Sequence, residues 1–195
     1  MSQVVAINKP AKPAPILVNA DKIPEALRSY KQWIVWKWVW NGKKWDKPPF
    51  KADGTGNASS TDPNTWTTFN VALAAYQAGD FDGIGFVLTE NDPFTMVDLD
   101  KCTDELWPVD MMSALDSYTE GTPSGDGYHV ISEATKPETM GSKSKDFHSS
   151  RVEVYSSGRY MTMTGNHIAD YPLTIEKRQI QLETTCKALF RKQEN

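Results

Sequence analysis

Cysteine and histidine are scarce in this 195-residue chain. Cys102 and Cys186 are its only cysteines, with no C-x-x-C spacing and no cluster with any of the three histidines. Neither a disulfide framework nor a zinc knuckle can be built from them, and a reducing compartment is expected. No apolar run approaches the roughly 18 residues that cross a bilayer, and the N-terminus has no signal-peptide core. A soluble, cytoplasmic chain with no membrane partner is the expectation. Cationic excess is missing too: the net charge is −4, which at first sight argues against a nucleic-acid binder, since phosphate neutralisation needs Lys and Arg.

The average conceals an asymmetry. Residues 28 to 51 hold Arg28, Lys31, Lys37, Lys43, Lys44, Lys47 and Lys51 against Asp46 alone, whereas residues 80 to 120 hold eleven acids against Lys101 alone. That division suits a polyanion held by one part and cations by another, although unevenly solvated surface charge explains it equally well. The length accommodates one domain with a real core.

Residues 1 to 20, with Pro10, Pro13 and Pro15 and no acid, read as a mobile tail. A short helix is expected from Asp21 to about Tyr30. QWIVWKWVWNGKKW, with alternating residues and an Asn41-Gly42 turn signal, predicts a β-hairpin carrying five of the seven tryptophans. Most of these indoles are expected in the core; a base-stacking platform is the sharper alternative. Asp62-Pro63 opens a helical stripe of Trp66, Phe69, Leu73 and Tyr76 that ends at Gly79. GIGFVL (83–88) and FTMVDLD (94–100) read as strands paired in a hairpin. A helix from Pro108 to Tyr118, strands at 128–132, 151–156 and 159–165, and a helix over about 175–191 complete an α+β domain on a mostly antiparallel sheet.

Alternation in TMVDLDKC puts Asp98 and Asp100 on one strand face, with Cα atoms about 6 to 7 Å apart, and Val97 and Leu99 on the other. Repulsion between the two carboxylates is relieved by a hard cation, Mg²⁺ or Mn²⁺, but an isolated D-x-D is more often a solvated face. In SGDGYH, Gly125 and Gly127 allow close backbone approach to a ligand, Ser124 offers a hydroxyl, and His129 can donate to a phosphate oxygen. In VEVYSSGRY, Glu153 stands on the polar face of an apolar strand, and Arg159 can bind a phosphate bidentately. Lys47, fixed before Pro48 and Pro49, is a better phosphate contact than the loop-tip Lys43 and Lys44. Together these residues compose a site for metal-assisted phosphoryl or nucleotidyl transfer. His148 and His167 have no partner at ligand spacing and are expected in loops or on the surface, and the lack of an H-x-H pair argues against a rolling-circle relaxase. Met161 and Met163 are expected in the core.

VDLD, SGDGYH and VEVY, in that order, resemble the acidic D-x-D strand, Ser-Gly-x-Gly-x-His motif and later acidic strand of the archaeo-eukaryotic primase superfamily, closest to the primase-polymerase domains of phage and plasmid replication proteins. WIVWK, KPPF, ASSTDPNTW, GIGFVLTENDP and SGRYMTMTG extend the likeness over about residues 28 to 168. The resemblance implies a catalytic core on an RRM-like sheet, with an N-terminal αβ unit and flanking helices. It divides the chain into a tail (1–20), a catalytic domain (21–170) and a C-terminal helix (171–195). It also implies that Asp98, Asp100 and Glu153 hold two divalent ions, Mg²⁺ or Mn²⁺, and act with His129 in catalysis. Ser124, Gly125, Gly127, His129, Arg159, Tyr160 and Lys47 would surround the nucleotide, with Tyr160, or as the weaker alternative Tyr155, against the sugar. The implied partners are a single-stranded DNA template and primer, an NTP or dNTP, and a helicase domain or protein. No zinc module is encoded, and no helicase domain lies within these residues, so a compact stand-alone enzyme or the catalytic part of a longer protein is expected, in the host cytoplasm. The competing classes are a non-catalytic single-strand-binding module and a metal-dependent nuclease.

Overall fold

A computed structural model describes residues 9–14, 17–137, 144–147 and 149–190. The expectations for His148, for Arg191 and for residues 1–8 and 15–16 of the tail lie outside the described residues. The strands are β1 (Trp33–Trp36), β2 (Val39–Trp40), β3 (Trp45–Asp46), β4 (Pro49–Phe50), β5 (Gly83–Leu88), β6 (Phe94–Asp100), β7 (Tyr118–Gly121), β8 (Tyr128–Glu133), β9 (Ser144–Phe147), β10 (Ser150–Tyr155) and β11 (Arg159–Met163). The α-helices are α1 (Glu25–Arg28), α2 (Phe69–Gln77), α3 (Trp107–Leu115) and α4 (Gln179–Phe190). The strands form a four-stranded sheet in the order β11-β5-β1-β4, a five-stranded sheet in the order β7-β8-β6-β10-β9, and the separate ribbon β2-β3. Every pairing between these strands is antiparallel, so the domain is α+β as its alternating patterns predict.

One face of each large sheet faces a shared core. Trp33, Val35, Ile84, Phe86, Met161 and Met163 from the first meet Phe94, Met96, Tyr118 and Ile131 from the second, with Leu27, Phe69 and Ala72 from the helices. The far face of the five-stranded sheet, with Val97, Leu99, Val130, Val152 and Val154, packs on Met111, Met112 and Leu115 of α3 and on Leu182 and Cys186 of α4.

Two pairings differ from the sequence expectation for one physical reason. The tryptophan-rich stretch divides into two: β1 is buried at all four residues and lies between β5 and β4, while only Val39–Trp40 and Trp45–Asp46 form the hairpin. There the Asn41 side-chain oxygen accepts from the amides of Lys43 and Lys44, at 2.8 and 2.9 Å. GIGFVL and FTMVDLD do not pair with each other: β5 lies between β11 and β1, and β6 between β8 and β10. Strands buried over most of their length belong in the middle of covered sheets, not in a two-stranded ribbon. Asp92 fixes the crossover, accepting from the Thr89 amide at 2.7 Å, the Phe94 amide at 3.0 Å and the Gln32 side chain at 2.8 Å.

The helices also shift. The expected 21–30 helix is a 3-10 turn at Ala20–Lys22 followed by α1, with Pro24 between them. Trp66 precedes α2 and packs with Tyr160 against Trp36 and Val87. α3 ends at Leu115 with Asp116 in the left-handed region (φ 39°), which frees Tyr118, expected as the last residue of the helix, to begin β7, a strand not expected from the sequence. In the proline-rich N-terminal segment, Lys12 pairs with Asp82 at 2.8 Å, the Trp45 indole donates to the Pro10 carbonyl at 3.1 Å, and the Asn19 amide donates to the Thr164 carbonyl at 2.8 Å. Among the described residues no helix is long and apolar enough to cross a membrane.

The turn between β7 and β8 is closed on the chain itself. The Thr122 amide donates to the Gly127 carbonyl at 2.9 Å, and the Cys102 amide donates to the Asp126 carbonyl at 2.8 Å. Gly125 has φ 79° and open space where a side chain would be, whereas a Cβ on Gly127 would stand 2.2 Å from the Leu99 carbonyl oxygen. Gly127 thus lets the turn lie against the end of β6, beside Asp100.

Gly127→Ala should therefore cost about 3 kcal/mol of stability through backbone overlap, and Gly125→Ala about 1 kcal/mol through its left-handed φ alone. Urea unfolding measures both, and equal losses would count against this packing. By the same measurement Trp33→Ala, in the core, should cost about 3–5 kcal/mol and Trp40→Ala, on the hairpin, about 1 kcal/mol.

Candidate active site

The register of the five-stranded sheet places Glu120 of β7 opposite His129 of β8, His129 opposite Asp98 of β6, and Asp98 opposite Glu153 of β10. Directly opposed residues of antiparallel strands project to the same side. Four ionisable groups therefore form one row across four strands, while Val97 and Leu99 go to the α3–α4 core. Asp100 lies one pleat further along the same face, opposite Arg151. Three carboxylates and an imidazole from distant parts of the chain thus meet because apolar alternation fixes which face each strand buries.

This row borders a cleft of about 710 Å³. Asp98, Asp100 and His129 line it from the five-stranded sheet, Ser124 from the β7–β8 turn, Arg159 and Tyr160 from β11, and Lys47 from the segment joining β3 to β4. Seven residues singled out from sequence share one cavity. Glu153 stands beside Asp98 without lining it, and Gly125 and Gly127 shape the turn behind Ser124. The Ser124 hydroxyl donates to Asp126 and lies 3.1 Å from the Thr122 hydroxyl.

Each charged group is shifted by its surroundings. The Asp98 side chain is 20% exposed, and burial above all raises its carboxyl above the ordinary aspartate value; Asp100 and Glu153 push the same way, while His129 and Lys47 oppose. Burial lowers the Lys47 ammonium below its usual value against the pull of Asp98, Asp100 and Asp126. For His129, burial is the largest effect and favours the neutral ring, but the Glu120 hydrogen bond and the charges of Asp98 and Glu120 together outweigh it and raise the imidazole's pKa. Its Nε2 is 3.7 Å from Asp98 Oδ1. Burial and a hydrogen bond with Glu153 push the Tyr155 phenol up to about 12, and the Arg159 guanidinium lies 4.9 Å over that ring. Tyr160 donates to the Lys47 carbonyl, so its hydroxyl is tied to the segment that presents the Lys47 side chain.

The donor set suits a hard cation. Among the described residues no three His, Cys, Asp or Glu side chains form a ready-made metal cage. Mg²⁺ and Mn²⁺ do not need one, since one or two carboxylates plus substrate phosphates complete their coordination. Asp98 and Glu153 on adjacent strands, with Asp100 beside them, offer only oxygens, and a cation would offset both the burial that chiefly raises the Asp98 pKa and the smaller repulsion from Asp100 and Glu153.

Glu120 escaped the sequence analysis. Its neighbours in Tyr118-Thr119-Glu120-Gly121 alternate as in a strand, but the groups that hold its carboxylate come from Thr164 and Gly165, distant in sequence. His167 lies in the connection between β11 and α4, as expected for a loop residue, and is half-buried: its ring stacks on Tyr118 at 5.7 Å, and Nε2 lies 3.0 Å from the Tyr171 carbonyl. Of the tryptophans, Trp33 and Trp36 are fully buried, and Trp40 and Trp45 pair on the ribbon with Lys9 4.6 Å over Trp45.

No family model matches the chain. A curated relative, the DNA Primase-polymerase of Nitratiruptor phage NrS-1, is 41% identical over 148 residues, which cover 72% of this chain and 20% of the relative. The chain therefore spans about a fifth of that relative's length. Both the order of its acidic and histidine motifs and this likeness lead to one family: the chain belongs with the primase-polymerase domains of phage replication proteins.

Proposed function

We propose that the cleft is the active site of a DNA-directed nucleotidyltransferase that extends a strand on a single-stranded DNA template, in the replication of a phage, plasmid or other mobile element. The observation that carries this reading is the register that sets His129 and Glu153 on either side of Asp98, at a cavity whose opposite wall supplies Arg159 and Lys47. Asp98 and Asp100 line the cavity from one sheet, and Arg159 and Lys47, with Asp46 next to Lys47, line it from the opposite wall. A nucleoside triphosphate with its divalent ions carries the complementary pair of charges.

In this reading Asp98, Asp100 and Glu153 hold two Mg²⁺ or Mn²⁺ ions. When bound, the ions lower the pKa of the primer 3′-hydroxyl and neutralise the triphosphate and the leaving pyrophosphate. Arg159, steadied over Tyr155, and Lys47, held by Pro48 and by the Tyr160 contact, face the phosphates from the other sheet. His129 donates from Nε2, and Ser124 offers its hydroxyl at the mouth of the turn. The 3′-oxygen bonds to the α-phosphorus, the α–β phosphoanhydride bond breaks, the hydroxyl proton passes to solvent and pyrophosphate leaves. Tyr160 lines the same wall, and in this reading it meets the sugar. Extension needs one nucleotide held against a paired end; initiation needs two nucleotides and a template held together, a further demand on the same cleft. Template, primer and nucleotide are the required partners, and a helicase, in the same chain or another, would supply unwound template.

A primed single-stranded template incubated with NTPs or dNTPs and Mn²⁺ or Mg²⁺ tests this. Metal-dependent lengthening is expected; shortening would indicate a nuclease, and binding without either would indicate a single-strand-binding module. Asp98→Asn, Asp100→Asn and Glu153→Gln should each reduce the extension rate more than about 100-fold while leaving the fold intact by circular dichroism. Because protons compete with metal for the Asp98 carboxylate, and its pKa is raised, Mn²⁺ affinity should fall as pH is lowered, by up to about tenfold per unit. Calorimetric titration across about pH 5 to 8 measures this, and Asp98→Asn should flatten the dependence.

A further inference from the structure

We infer that Glu120 is the positioning residue for His129, holding the imidazole by Nδ1 so that Nε2 is presented to the cleft beside Asp98. The inference rests on the nucleotidyl-transfer reading for the use made of Nε2, while the hold itself is a matter of geometry.

The Glu120 side chain is wholly buried. A carboxylate in such a place is costly unless donors surround it, and here they do. Oε2 accepts from the Tyr118 hydroxyl at 2.8 Å and the Gly165 amide at 2.8 Å, and the Thr164 amide reaches Oε1 at 3.1 Å. The remaining approach to Oε1 is taken by His129 Nδ1 at 3.3 Å. An ionised carboxylate only accepts hydrogen bonds, so the ring atom facing it must carry a hydrogen. That excludes the flipped ring, in which a carbon would replace Nδ1 and leave Oε1 without its partner. With Nδ1 committed, Nε2 is the edge left for the cavity, 3.7 Å from Asp98 Oδ1.

The donors also tie this orientation to the opposite wall. Thr164 and Gly165 follow β11, the strand that begins with Arg159, so the same carboxylate that orients the imidazole on the five-stranded sheet binds the end of the other sheet's edge strand. His167 stacks on Tyr118 and closes the shell behind it. Loosening Glu120 would misplace His129 relative to Arg159 without touching the metal-binding carboxylates.

Nitrogen-15 NMR of the His129 ring, combined with steady-state extension kinetics, tests this in the intact chain. Glu120→Gln should abolish the Nδ1-bound hydrogen signal seen in wild type and raise the nucleotide KM about tenfold or more, leaving the primer-template KM unchanged. Tyr118→Phe removes a donor to the same carboxylate but keeps its contact with the ring. It should lower Tm while leaving the Nδ1 signal in place and the nucleotide KM within about threefold of wild type. In a His129→Ala background Glu120→Gln should add nothing. If the glutamine variant fails to fold, Glu120→Asp, which keeps the charge and draws it back from Nδ1 by one methylene, carries the same expectations. A folded Glu120 variant with wild-type ring signals and nucleotide KM, or an effect additive with His129→Ala, overturns the inference. If wild type extends no primer, the nucleotidyl-transfer reading fails, and the ring signals decide the positioning of His129 by themselves.

Discussion

The register of β6 between β8 and β10 is the constraint on which the site depends. With Asp98 opposite both His129 and Glu153, two carboxylates and an imidazole stand on one face; a slip of one residue on either strand would send a partner to the far side of the sheet. Apolar burial enforces that register. Val97, Leu99, Val130, Val152 and Val154 fill the core under α3 and α4, and each belongs to the alternate set of positions that leaves the acids and the histidine on the other face. The chemistry is thus held in place by residues that take no part in it.

The second constraint is that two sheets, not one, make the cavity. The acid-rich stretch supplies Asp98 and Asp100 from the five-stranded sheet, and the lysine-rich stretch supplies Lys47 from the segment between β3 and β4. Charges segregated along the chain are brought together across the cleft, where burial raises the Asp98 pKa and lowers that of Lys47. Both shifts mark groups whose charged forms lack full solvation and gain from a ligand of mixed sign.

Much of this was legible because period-2 alternation is local. Asp98, Asp100, Glu153 and His129 could be assigned to strand faces from a few neighbours, and their meeting on one face follows once the strands pair. Strand partners were not local. GIGFVL and FTMVDLD are joined by a turn-rich connection, yet each is a largely buried strand that takes two other neighbours in its own sheet. Trp33 and Trp36 misled in the same way, since an Asn-Gly signal nearby suggested a ribbon where a covered central strand stands. Glu120 was invisible because the donors that make its burial tolerable lie at Thr164 and Gly165, and no local pattern couples those positions to β7. Gly127 illustrates a subtler miss: its missing Cβ makes room for the Leu99 carbonyl.

The most direct measurement is a crystal structure with Mn²⁺ and a non-hydrolysable nucleoside triphosphate, using the anomalous signal of the metal. Manganese between Asp98 and Glu153, with the triphosphate against Ser124, His129, Arg159 and Lys47, is the result that the register predicts. Manganese away from these carboxylates, or a triphosphate seated on the β2–β3 ribbon instead of in the cleft, would contradict it.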